Sequence, residues 1–440
     1  MEDRHGDPAG GPGPAGRWQW FATPDVRILL LSLVLQLALA LLLGHSYDTR
    51  VFMGTGYLVG SGQNPYVGQD LSAVFHHLGF RTLTTVGYPP PWPLALGLIY
   101  RLVHTATSNI LVYNLAIKLP VIAATVGLAY LVGAVLKNLG ADPAATRKAW
   151  VFLLLNPFLL YFGAAWGQID ALVALGTLGA LVLLTRARRD GSAGLLALSI
   201  AVKPTALPIL PAALVYLAGR SLRQAVRYAV VFVLGAAVFA VLPFAVFAWD
   251  PTTVLRHLNA HFMMTGTMSW MTVVRLFRDP LLMQGHWWLL GLLWIPALAV
   301  ATAVAMRRGV DGFDGLVRAS IALALVFFLT RTWLAEPNVI LILPLVLILT
   351  LLGELDRRAL TAVWVIPLLF TVFNASPLQL LFVAFPDAMQ ASLSAFARYG
   401  STTLVVRAAL VIVWQIAGWW IVVSCFRRAP APARGRVRWS

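Results

Sequence analysis

Runs of Leu, Ala and Val long enough to cross a lipid bilayer recur from residue 27 to residue 425, and Arg or Lys residues punctuate the gaps between them. A run of about 20 apolar residues has no polar face to turn to water, so a chain built from such runs folds with lipid as its solvent. Composition agrees, because hydrophobic residues make up 59% of the chain, charged residues only 11%, and the mean hydropathy is +0.79. That is too little charge to coat a soluble domain of 440 residues. The chain reads as an all-α, polytopic transmembrane helical bundle. Its formal charge of +16 does not point to nucleic acid, since the arginines cluster between apolar runs in the pattern of cytoplasmic loops. Cys425 is the single cysteine, which excludes an intrachain disulfide.

Apolar runs at about 27–43, 109–136, 148–164, 170–185, 225–247, 287–306, 316–332, 337–353, 359–375 and 401–425 are candidate spans. Two further stretches are decided by their charges. "PPPWPLALGLIYRLV" (89–103) opens with three prolines and contains Arg101. Treated as an interfacial helix, it leaves the basic clusters at 137–148 and 186–189 on the same, cytoplasmic side. The stretch at 193–219 has Lys203-Pro204 at its centre, which predicts two short helices joined there with both outer ends in the cytoplasm. The result is about twelve spans with both termini cytoplasmic. Residues 1–26 form a disordered Gly/Pro-rich tail, 27–426 one transmembrane domain, and 427–440 a basic tail. No small-residue cleavage site follows the first apolar run, so it reads as a retained anchor. A long loop at 44–108, a turn at 164–170, a second long loop at 248–286, and segments at 331–338 and 376–400 fall outside. Long loops of this kind are usually functional. No internal repeat of the sort found in inverted-symmetry transporters is visible.

Unusual residues gather in those outer segments, each with an ordinary alternative. Asp48 follows the first span, where an acid can be a hydrated flank or a functional group. "GSGQNPY" (60–66) is turn chemistry, and "YPPP" (88–91) stiffens the approach to the interfacial helix. In "WGQIDAL" (166–172), Asp170 is placed to cap the next helix. Lys203 lies too far from either end of its stretch to snorkel easily, so it needs a cavity. Arg331 and Glu336 flank "TWLA" as a candidate ion pair. His257 and His261 have i, i+4 spacing but no third ligand, so no metal is expected. Neither a phosphate-binding GxxxxGK[ST] loop nor a dinucleotide GxGxxG occurs in context, and no cofactor is expected.

Taken in order, an acid after the first span, a loop with "GQNPY" and "YPPP", then "NPFLLYFGAAWGQIDAL" (156–172) and "KPTALPILP" (203–211) resemble the GT-C superfamily of membrane glycosyltransferases. The pattern is most similar to glycosyltransferase family 87, whose members use polyprenyl-phosphate mannose. The resemblance implies a GT-C type bundle in a bacterial plasma membrane. Its reaction would move a sugar, mannose first, from a polyprenyl-phosphate donor to a hydroxyl of a lipid or glycolipid acceptor on the outer, periplasmic face. It implies inversion at the sugar, with Asp48 as general base. Lys203, Arg331, His257 and His261 become candidates for the donor phosphate, while Arg50 would bind phosphate or orient Asp48. Gln168, Asp170, Glu336 and Asn338 are candidates for sugar hydroxyls, and Tyr66, Tyr88, Trp166 and Trp333 offer rings for packing. The chain departs from the paired-acid pattern of some members, because "TR" follows Asp48 and the next acid is Asp70. That favours a base working without metal, in a protein read as a monomer among membrane lipids. A flippase or transporter of lipid-linked sugars is the competing reading, and it expects repeats and charges on both sides of a cavity.

Overall fold

The computed structural model describes residues 25–75, 86–252, 266–277, 287–397 and 400–427. His257, His261 and nearly all of both terminal tails lie outside these. The described residues form an all-α membrane bundle with one parallel pair of two-residue strands. Six helices are long and apolar enough to cross a bilayer: Ile110–Asn138, Pro143–Trp166, Leu222–Val246, Leu289–Arg308, Gly312–Thr330 and Gly400–Phe426. Four shorter apolar helices, Val26–Leu42, Asp170–Thr185, Pro204–Ala218 and Glu336–Leu351, stand among them.

Helix α1 (Val26–Leu42) shows how lipid sorts the side chains. It buries Ser32, Gln36 and Ala40, one turn apart, and leaves Leu30, Leu31 and Val34 exposed. The inward hydroxyl of Ser32 donates to the Leu154 carbonyl at 2.8 Å and accepts from Gln36 Nε2 at 2.7 Å. With lipid outside there is no hydrophobic pull between helices, so small and polar residues make the contacts. The helix Leu222–Val246 is the lipid-facing extreme, with Val230, Val233, Leu234, Val238 and Leu242 all exposed. The centre is the helix Gly312–Thr330 together with Leu343–Leu351, which is buried along almost its whole length.

Helix α2 (Ser46–Gly60) occupies the start of the 44–108 stretch, which the sequence predicts as a loop. Glycines 54, 56 and 60 lower its intrinsic propensity. What sustains it is close packing on α3 (Pro91–His104): a Cβ on Gly56 would lie 2.2 Å from the Tyr113 hydroxyl and 2.9 Å from the Leu96 carbonyl oxygen. A loop turn does follow, and there Gly62 takes φ +77°. Helix α4 (Ile110–Asn138) starts at Asn109, whose side chain accepts from the amides of Leu111 and Val112.

Helix α5 (Pro143–Leu155) gives way at Asn156-Pro157 to a short turn and then to a π-helical stretch, Leu160–Trp166. Helix α6 (Asp170–Thr185) follows it. Helices α7 (Arg189–Val202) and α8 (Ile209–Ala218) are joined by extended Lys203 and a 3-10 turn beginning at Pro204, which matches the two short helices expected from the sequence. Proline cannot donate to a continuing helix, so the break falls where it stands. The two strands, Gly266–Thr267 and Trp333–Leu334, tie the 248–286 stretch to the 331–338 segment.

Candidate active site

Asp48 is placed by the junction between α1 and α2. Gly44 N donates to the Leu380 carbonyl at 2.7 Å, which pins the junction to the 376–400 segment. His45 is the N-cap of α2, and Asp48 lies in the first turn, where the exposed amides of a helix start favour an anion. Opposite it stands the turn after α5. The π-helical stretch ends at Gly167, whose φ of +94° is one a side chain would resist, and Gln168 N donates back to the Phe162 carbonyl at 2.8 Å. This closes a tight corner that aims Trp166 and Gln168 at Asp48. Trp166 Nε1 donates to Asp48 Oδ2 at 2.6 Å and Gln168 Nε2 donates to the same oxygen at 3.0 Å.

The His45 ring stacks on the Trp166 indole, with centroids 3.8 Å apart and planes within 9°. His45 Nδ1 stands 3.3 Å from Asp48 Oδ2 and 3.5 Å from the Asp48 amide nitrogen. One nitrogen cannot donate to the carboxylate and accept from the amide at once. The shorter contact and the charge of the carboxylate favour a proton on Nδ1, donated to Oδ2. Burial alone would raise the Asp48 pKa, but the His45 bond and charge, the Trp166 bond and the Lys203 charge together hold it below its ordinary 3.8. Among the described residues all of these donors meet Oδ2 and leave Oδ1 without a bond from them, while the side chain stays 17% exposed.

Gln168 also connects Asp48 to the cation expected at depth. Lys203 Nζ lies 2.7 Å from Asp170 Oδ2 and 3.5 Å from Gln168 Oε1. Asp170 opens α6 as expected, but Ile169 is the N-cap and the Asp170 carboxylate pairs with Lys203 instead of capping. With Asp170 1% and Lys203 8% exposed, the pair is buried and close to neutral as a unit. An ammonium carries three N–H groups, so Lys203 keeps capacity for another acceptor. Its Nζ lies 5.9 Å from the centroid of the Tyr88 ring, and Tyr66 donates its hydroxyl to the Tyr88 carbonyl at 3.0 Å. Burial comes first among the causes that raise the Tyr88 phenol pKa, followed by the nearby negative charges of Asp48 and Asp170. Burial also raises that of Tyr66.

The remaining expected residues form a second group. Glu336 is buried and accepts from Asn374 Nδ2 at 2.8 Å, and Asn374 Oδ1 accepts from Arg407 Nη1 at 3.0 Å. Asn338 is buried with its Oδ1 unpartnered. Arg331 lies over the Phe327 ring at 5.2 Å, and Trp333 belongs to the strand paired with Gly266–Thr267. The Glu336–Leu341 turn packs on α6 and on the turn after Lys203, so the two groups are neighbours. Arg50 turns to the Phe382 ring at 4.7 Å, and none of the bonds to Asp48 comes from it. Among the described residues no group of three His, Cys, Asp or Glu side chains could hold a metal ion.

A family model for glycosyltransferase family 87 matches residues 87–337, more than half of the chain. The chain belongs to glycosyltransferase family 87. It is therefore a membrane glycosyltransferase, with a sugar donor and an acceptor as its substrates. The match takes in Tyr88, Trp166, Gln168, Asp170, Lys203, Arg331, Trp333 and Glu336, while Arg50, Asp48 and Tyr66 precede it and Asn338 follows it. No curated protein matches the chain. For a family 87 enzyme the arrangement has clear chemical content. It combines an ionised carboxylate whose Oδ2 meets three donors, a cation joined to it through Gln168, and the stacked rings of His45 and Trp166 beside it.

Proposed function

We propose that this family 87 chain transfers a hexose, mannose first, from a polyprenyl-phosphate donor to a hydroxyl of a lipid or glycolipid acceptor. The transfer takes place on the outer face of a bacterial plasma membrane, in a bundle of about twelve crossings with both termini in the cytoplasm. The observation that supports the reading is the Asp48 carboxylate, fixed through Oδ2 by Trp166, Gln168 and His45 with Oδ1 left open. In a single inverting displacement the acceptor oxygen bonds to the anomeric carbon as the bond from that carbon to the phosphate oxygen breaks. The acceptor proton goes to Asp48 Oδ1, and the polyprenyl phosphate leaves with the electron pair. A carboxylate with a lowered pKa is a modest base, but the hydroxyl becomes strongly acidic only as its oxygen bonds to carbon, so a modest base suffices late in the step. Lys203 supplies its remaining N–H to the departing phosphate, and Arg331 extends the positive field at the outer end. Tyr88 and Trp166 offer faces for the sugar, and Gln168 and Glu336 partners for its hydroxyls.

The deciding experiment offers purified protein a series of radiolabelled polyprenyl-phosphate sugars with a panel of lipid acceptors. Transfer from the mannose donor, lost in Asp48→Asn, is the expected result. No transfer from any donor, or full transfer by Asp48→Asn, overturns the reading. Movement of the intact lipid-linked sugar across vesicles without transfer would instead mark a flippase.

A further inference from the structure

Two buried polar side chains have no part in the chemistry above. Asn114 and Lys118 stand one turn apart on α4, each 1% exposed, and both reach for carbonyls at the end of α1. Asn114 Nδ2 donates to the carbonyls of Ala40 at 2.7 Å, Leu41 at 3.2 Å and Leu43 at 2.8 Å. Lys118 Nζ donates to those of Ala40 at 3.3 Å and of Leu43, and to that of Ala165 at 2.9 Å. Leu43 leads directly into the His45–Asp48 turn, and Ala165 directly precedes Trp166. The Lys118 stem also underlies the corner itself, since a Cβ on Gly167 would fall 3.1 Å from Lys118 Cε.

The choice of residue is informative. A helix ends with carbonyls that lack intrahelical partners, and a cation suits that end. Yet among the described residues the partners of Lys118 are carbonyls alone. A buried ammonium without a counter-ion weakens a fold that a leucine would fill without that penalty. What lysine adds to the packing of α1 on the Leu160–Trp166 stretch, and leucine cannot, is a directed link from the Leu43 carbonyl to the Ala165 carbonyl.

We infer that Lys118 and Asn114 are positioning residues that hold the Asp48-bearing junction in register with the Trp166–Gln168 corner. They act through Asp48, touching neither donor nor acceptor, so the inference deepens the proposed function and rests on it. Without the link the two halves of the site can slide, and the three donors no longer converge on one carboxylate oxygen.

Lys118→Met, which keeps length and removes the ammonium, tests this on the full-length protein in detergent. We expect kcat to fall at least tenfold with the donor KM within twofold. We also expect Lys118→Met to add nothing to the loss already caused by Asp48→Asn. Deuterium uptake should rise at residues 44–48 and 165–168 and stay unchanged at 343–351. Wild-type kcat in Lys118→Met, or a full multiplicative loss on top of Asp48→Asn, overturns the inference and leaves the transferase reading standing. If Lys118→Met fails to fold, Asn114→Leu, which keeps the charge, is read by the same three measures. A wild type that transfers no sugar sinks the proposed function, and the exchange comparison still decides whether the link holds the two segments together.

Discussion

The indole N–H of Trp166 donates to the carboxylate of Asp48 at 2.6 Å across 118 residues of chain. The bond joins the first turn of α2 to the corner between α5 and α6, and it favours the ionised carboxylate. A charged hydrogen bond of this kind is worth about 1.5–3 kcal/mol. It favours the ionised form, so it lowers the pH at which the base is lost.

Trp166→Phe keeps an aromatic face for the stack on His45 and removes the N–H together with part of the ring. The Asp48 pKa should rise, because a hydrogen bond that favours the ionised form is lost. In the wild type the lowered value keeps Asp48 ionised down through its ordinary 3.8. Its contribution to stability and rate is present above that value and lost as the pH falls through the folded one. The acidic limb of transfer should therefore move upward in Trp166→Phe. A pH–rate profile with an unmoved limb would show that the bond does not tune the base.

Asp48→Asn preserves the shape of the side chain and cannot accept the proton. Transfer should drop by about 10²–10⁴ while donor binding is retained. Single-turnover rates with a filter-binding measurement of the donor separate these two quantities.

Lys203→Met leaves Asp170 buried without its cation. Losing one member of a buried pair typically costs about 3–5 kcal/mol. The double variant Lys203→Met with Asp170→Asn should recover most of that stability and none of the activity. Thermal unfolding of the detergent-solubilised variants reads the first effect, and transfer the second.

Gly56→Ala places a methyl group 2.2 Å from the Tyr113 hydroxyl. It also meets the Leu96 carbonyl oxygen of α3 at 2.9 Å, so the helix carrying Asp48 must move from α3 and α4, at a cost of about 1–3 kcal/mol. Because α2 shifts as a body, activity should fall further than stability does. Equal activity at unchanged unfolding temperature would show that α2 tolerates the displacement.

Local pattern and distant pairing divide what could be read in advance. The helical character of the apolar runs, the break at Lys203-Pro204 and a helix within 89–104 follow from residue type and neighbours and are present, while six helices are long and apolar enough to cross a bilayer where about twelve spans are expected. Helix α2 lies in a stretch that the sequence predicts as loop, because its glycines lower the local propensity and only packing against α3 offsets that. Asp170 was read as a cap because the cap is a local interaction, whereas its partner Lys203 lies 33 residues away. His45 was passed over for the same reason, although its place three residues before an acid at a helix start was a visible cue.

By itself the sequence determined that lipid is the solvent, that the chain is helical, and which unusual residues interrupt or flank the apolar runs. Hydropathy and proline act over a few residues, so they can be read without the fold. Only the tertiary structure decided that Asp48, Trp166, Gln168, Lys203 and Asp170 share one network while Glu336 bonds to Asn374. Hydrogen bonds act over about 3 Å, and helix packing alone brings such distant residues within that range.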